Sequence, residues 1–152
     1  MYPDLSVQLL IFARGGLIKG PEKSLYESDA NLQKHVLWIG DATDSELQWA
    51  YKHSIGLIYP SRMEGFGLPL VEAAYWGCPV MCSDIPVFRE TAGDNVVYFD
   101  ETSVESLYSA IMDWLQTDVH PDSRKIKKYT WKDSALEITN ILNGKVEPYK
   151  IL

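Results

Sequence analysis

The 152-residue chain is 46% apolar and 23% charged, with 14 Lys+Arg against 21 Asp+Glu and a formal net charge of −7. This balance excludes a disordered or collagen-like chain, and a chain of this length buries roughly 68–70% of its unfolded surface, enough for one core without disulfides or metal. It also excludes a dedicated nucleic-acid binder, which needs a clustered basic surface. Cys78 and Cys82 are too few for a secreted disulfide scaffold. The apolar run at residues 7–13 has no basic region before it and no cleavage site after it, and is too short to span a bilayer. The expected compartment is the cytosol.

In chain order, short apolar runs rich in strand-forming residues occur at 7–13, 35–39, 55–59, 79–82 and 96–99. Each is brief enough for a strand buried on both faces. Helical patterns fill the intervals. Residues 22–32 and 44–53 carry mixed charge, and Asp44-Ser45-Glu46 after Thr43 forms an N-terminal capping signal. Residues 69–76 are more apolar and stop at Gly77. Residues 103–115 space Val104, Leu107, Ile111 and Leu115 on one helical face, and residues 131–142 end before Asn143-Gly144. No repeat or low-complexity linker divides the chain, so one α/β domain is expected, a Rossmann-like parallel sheet with helices on both faces. Ligands of such sheets bind beyond the carboxyl ends of the strands.

One stretch carries chemistry, running from Tyr59-Pro60-Ser61 through Glu64-Gly65-Phe66-Gly67-Leu68-Pro69 to Glu72-Ala73-Ala74. It leaves a predicted strand and opens a predicted helix. Gly65 and Gly67 permit close backbone approach and conformations closed to other residues. The amides of Gly67, Leu68 and their neighbours, with the positive end of the helix dipole, then form an anion site for a phosphate or diphosphate. Pro69 costs nothing near the first helical position, where its absent N–H has no partner. Glu64 lies where its carboxylate meets sugar hydroxyls beside that phosphate. Glu72, a turn into the helix, tilts back toward the same place and suits the vicinal diol of a ribose. The alternative is a tight turn beside a solvated helix glutamate. Against it, Glu72 stands among Leu70, Val71, Ala73 and Ala74.

These residues resemble the donor-binding half of the retaining glycosyltransferases of family 4 type, two-domain GT-B enzymes that include bacterial mannosyltransferases. The family's Glu, seven residues, Glu signature is met by Glu64 and Glu72. The likeness continues through Gly77-Cys78-Pro79-Val80, Ser83-Asp84-Ile85-Pro86 and Glu90-Thr91-Ala92-Gly93-Asp94 to Phe99-Asp100, with Tyr2-Pro3-Asp4 and Trp38-Ile39-Gly40 upstream. The resemblance implies that Glu64 contacts the donor sugar and is the catalytic carboxylate of this half. It implies that the backbone of Gly65, Phe66, Gly67 and Leu68 holds the diphosphate, that Glu72 holds the ribose, and that Asp41 and Ala42 lie near the base. The implied reaction transfers a hexose from a GDP- or UDP-sugar with retention, using neither metal nor cofactor. The acceptor is a glycan or lipid-linked sugar in polysaccharide or glycoconjugate synthesis, and stabilising the leaving diphosphate is the main catalytic contribution.

Compared with that family, the chain is expected to lack the N-terminal acceptor domain and its own first β-α unit, and so to be inactive by itself. A different reading makes it a non-catalytic nucleotide-sugar binding module that works with a second chain. An epimerase or a phosphorylase on the same fold is a third, the phosphorylase lacking a setting for a lysine-bound cofactor. Arg14 and Lys19 are open between a phosphate role and a solvated loop. Cys78 and Cys82 read as buried thiols, and Trp114 and Trp131 as core aromatics. His35, His53 and His120, expected at a strand start, at a helix end and before a proline, form no ligand set or triad. Arg124, Lys125, Lys127, Lys128 and Lys132 read as a solvated helix face. The competing role for them is peripheral contact with anionic lipid at the inner face of the membrane.

Overall fold

A computed structural model describes residues 7–13 and 21–146, with residues 13, 21 and 22 described as backbone alone. Arg14, Lys19 and the Tyr2-Pro3-Asp4 segment lie outside the described residues. The chain forms two compact units that divide between Ala50 and Tyr51.

In the first unit, β1 (Leu9–Ala13) and β2 (Val36–Gly40) pair in parallel, in register from Leu9 opposite Val36 to Ala13 opposite Gly40. Parallel pairing requires a crossover. It contains two helices where the sequence pattern suggested one: α1 (Pro21–Ser28) and α2 (Ala30–His35). The break is Asp29, whose carboxylate accepts hydrogen bonds from the amides of Asn31 and Leu32 at 2.8 and 3.1 Å. Short acidic side chains compete with helical backbone bonding and so start helices rather than continue them. His35 therefore closes α2 instead of opening β2. Leu9 and Leu37 are exposed, so these strands are not buried on both faces. An apolar run alone does not distinguish cover on one side from cover on two. After β2, α3 (Asp44–His53) begins as expected: Glu46 accepts from the Thr43 amide at 2.8 Å, and the Glu46 amide reaches Thr43 Oγ1 at 3.3 Å.

In the second unit, β3 (Leu57–Tyr59), β4 (Val80–Ser83) and β5 (Val97–Phe99) form a parallel sheet with β4 in the centre. All four β4 residues are buried, as its apolar sequence predicts for a central strand. The crossovers are α4 (Leu68–Trp76) and α5 (Pro86–Ala92). The sequence pattern left α5 without an element, since seven residues opened by Ile85, with no side-chain cap, carry little helical signal. α6 (Val104–Gln116) is capped by Ser103, and Trp114 near its end packs into a core with Met81 and Phe99. Cys78 and Cys82 are buried, and burial raises their thiols to about 11 and about 12. After a 3-10 turn at Ser123–Lys125 comes α7 (Trp131–Leu142), which has no buried residue. Trp131 is 93% exposed and is not a core aromatic: at the first position of a helix that buries nothing, its ring has no interior to enter. The five basic residues are exposed as expected, but only Lys132 stands on a helix of ordinary length.

Candidate functional site

The chain leaves β3 at Tyr59, loops through residues 60–67 and enters α4, placing the Gly-rich turn beyond the carboxyl end of a parallel strand. Gly67 is in the left-handed region, with φ +84° and ψ +55°. A β-carbon there would lie 2.6 Å from Cε1 of Phe88, so both backbone angle and space require glycine. Gly65 differs from the expectation. It does not have a left-handed φ, and a β-carbon there would meet nothing within 4 Å. The demand falls on Gly67 because it is the residue that turns the chain into the helix over the Phe88 ring.

The N-terminus of α4 has no side-chain cap. The amides of Leu70 and Val71 turn back to the Gly67 carbonyl at 3.0 and 3.4 Å. Those of Gly65, Phe66, Gly67 and Leu68 have no hydrogen-bond partner among the described residues. Unpaired donors at the positive end of a helix form the chemistry of an anion site. Phe66, Leu68 and Met63 are exposed around it.

Glu64 is half-buried, and its Oε1 accepts two hydrogen bonds, from the Tyr59 hydroxyl at 2.5 Å and from Ser61 Oγ at 2.8 Å. Glu72 is exposed on α4 despite its apolar sequence neighbours, which turn inward: Leu70, Ala73 and Ala74 are fully buried. Its Oε2 accepts from the hydroxyl of the buried Tyr51 at 3.2 Å. Burial raises the Tyr51 phenol well above its ordinary range, and the Glu72 charge adds to that. Burial raises Tyr59 likewise, followed by its bond to Glu64 and by the charges of Glu64 and Glu72. The two glutamates thus share one electrostatic neighbourhood, and both phenols remain protonated donors at neutral pH.

Sequence reading singled out neither tyrosine nor Ser61. Tyr59 and Ser61 stood inside the recognised stretch, whereas Tyr51 reaches Glu72 across 21 residues and left no local signal. Phe88, completely buried on α5, supports the turn and also packs against Tyr59 with ring centroids 5.1 Å apart. Thr91 on the same helix donates to the Phe66 carbonyl at 3.4 Å. Arg89 is engaged elsewhere, held by Asp84 at 2.6 and 2.7 Å and lying over the Tyr98 ring. In the first unit, Asp41 follows β2 with a left-handed φ of +46°, which aspartate tolerates better than most residues, and Ala42 succeeds it half-buried. His120 stacks on Trp114 at 3.9 Å beside a cavity of about 340 Å³ that touches none of the turn residues. Among the described residues no cluster of His, Cys, Asp and Glu is arranged to hold a metal ion.

Over 107 residues the chain is 41% identical to the serotype-specific mannosyltransferase WbdA of Escherichia coli, an overlap covering 68% of this chain and 13% of that protein. It is 29% identical over 111 residues to the O-antigen chain mannosyltransferase B of Escherichia coli, covering 69% of this chain and 29% of that one. The matched segment therefore spans less than a third of the length of either relative. A solved sucrose-phosphate synthase from Thermosynechococcus elongatus superposes with a TM-score of 0.71 at 21% identity, covering 90% of this chain and 38% of that structure. The fold is thus the α/β architecture of GT-B glycosyltransferases. The family model described as glycosyl transferases group 1 matches residues 9–133, and with most of its length inside that match the chain belongs to this family.

Proposed function

We propose that this chain is the donor-binding domain of a retaining glycosyltransferase of family 4 type, taking a GDP- or UDP-hexose. The observation that carries the reading is the uncapped start of α4, where unpaired amides at Gly65–Leu68 stand between two tyrosine-held glutamates. An anion site flanked by hydroxyl acceptors matches a ligand with a diphosphate between two polyols. The turn amides hold the diphosphate and stabilise its charge as it leaves. Glu64 accepts from hydroxyls of the transferred sugar, and Glu72 accepts from the ribose. No metal is needed where backbone donors and a helix dipole neutralise the leaving group.

The acceptor, a glycan or lipid-linked sugar, is supplied at a site outside this domain. Transfer takes place in the cytoplasm, with peripheral contact at the inner face of the membrane through the basic residues around Arg124–Lys132. No helix among the described residues is long and apolar enough to cross a membrane.

Calorimetric titration with GDP, UDP, GDP-mannose and UDP-glucose tests the reading. Saturable binding of one base class, lost in Glu72→Ala while the fold is kept, is the expected result. Absence of binding by all four, or equal binding by the variant, rejects it.

A further inference from the structure

Among the described residues, the carboxylates of Glu64 and Glu72 are each held through a single oxygen. Both donors to Glu64 among the described residues reach the same oxygen, Oε1, leaving Oε2 without a protein partner there. Tyr51 takes Oε2 of Glu72 and leaves Oε1. A carboxylate tied by one oxygen presents the other in a fixed direction, and holding a flexible side chain in advance removes an ordering cost from ligand binding. The donors come from different elements: Tyr51 from α3, Tyr59 from the end of β3 and Ser61 from the loop. Tyr59 is itself seated on Phe88, the ring that also closes under Gly67. Both phenols are held in the protonated form by burial, so they act only as donors toward the carboxylates near neutral pH.

We propose that Tyr51 and the Tyr59–Ser61 pair are separate positioning residues, the first orienting Glu72 toward the nucleoside and the second orienting Glu64 toward the transferred sugar, so that the two ends of the donor are read independently. This rests on the donor-site reading above. Among the described residues the two clamps share no donor: of the two glutamates Tyr51 reaches Glu72 alone, and Tyr59 and Ser61 reach Glu64 alone, Ser61 Oγ lying also 3.2 Å from the Met63 carbonyl. Loss of one therefore leaves the other formed.

The test compares a nucleoside diphosphate with its sugar nucleotide, GDP against GDP-mannose and UDP against UDP-glucose, in Tyr51→Phe and in Tyr59→Phe/Ser61→Ala. Removing one prepaid ordering cost weakens binding by about three- to tenfold. Tyr51→Phe is expected to weaken both ligands of a pair by the same factor. Tyr59→Phe/Ser61→Ala is expected to weaken only the sugar nucleotide, bringing its affinity toward that of the bare diphosphate. A merely structural role predicts equal losses for both ligands in both variants together with a lowered melting temperature, and that outcome overturns the proposal. Unchanged affinities in the tyrosine variants, while Glu64→Gln and Glu72→Gln lose theirs, overturn it and leave the donor site standing. Failure of the unaltered chain to bind any of the four ligands overturns both.

Discussion

Helices α4 and α7 solve the same problem in opposite ways. α7 satisfies its own N-terminus: Thr130 accepts from the Asp133 amide at 3.2 Å, and Asp133 accepts from the Thr130 amide at 2.9 Å. Yet it buries no residue, and Trp131, Leu136, Ile138 and Leu142 are exposed along it. α4 has no side-chain cap at all, and Leu70, Ala73 and Ala74 are fully buried beneath it. Local hydrogen bonds specify the first helix and tertiary packing holds the second. Burial holds α4 without a cap, so its N-terminal donors stay open, and that is where the candidate ligand site lies.

If this contrast is right, substitutions under α4 should be costly and substitutions on α7 cheap. Phe88→Ala removes a completely buried ring from beneath both Gly67 and Tyr59, and is expected to destabilise the fold by about 3–5 kcal/mol in chemical denaturation. Gly67→Val adds a left-handed backbone penalty to an overpacked contact with Phe88, for about 2–5 kcal/mol. From the sequence, glycine at this position permits close backbone approach to a ligand. The structure puts the first collision inside the protein, so stability should fall before binding is even measured.

The buried thiols flanking and within β4 make a milder test of the same packed region. Their folded-state pKa values are raised from 9.0 to about 11 for Cys78 and about 12 for Cys82. The protonated form is therefore favoured by folding, and its contribution is complete below pH 9. It declines as pH rises from there through the folded values. Denaturation midpoints should hold steady to pH 9 and fall above it, and thiol reagents at pH 8 should react only as the protein unfolds.

On α7 the effects shrink. Thr130→Ala removes a cap worth about 1 kcal/mol and should appear as faster amide exchange in the first turn of that helix, without altering ligand affinity. Trp131→Ser should change stability by less than about 0.5 kcal/mol, because the ring is already in solvent. A large loss from either substitution would show that α7 is packed after all and would dissolve the contrast.

Much of the architecture was legible in the amino-acid order. Thr43 starts α3 through its own oxygen atom, and Gly77 stops α4 in a left-handed turn at φ +74°. These are contacts within a few residues, so composition and spacing suffice to foresee them. The recognised stretch from Tyr59 to Ala74 likewise held Glu64, Gly67 and the uncapped helix start, all set by neighbours in the chain. α5 was missed because its start carries no capping side chain, and the Asp29 break was missed because the charge pattern on either side of it is continuous.

What only the tertiary structure decided is which atoms of distant residues meet. That Tyr51 restrains Glu72, that Phe88 makes Gly67 irreplaceable, and that Gly65 is not under the same constraint all depend on segments more than 20 positions apart or on the space between them. Trp131 and Trp114 are the same residue type on helices of similar pattern, yet one is 93% exposed and the other 7%. Helical spacing states which side chains share a face. Whether that face has anything to bury against is a property of the packed chain, because burial is a free energy between elements and not within one.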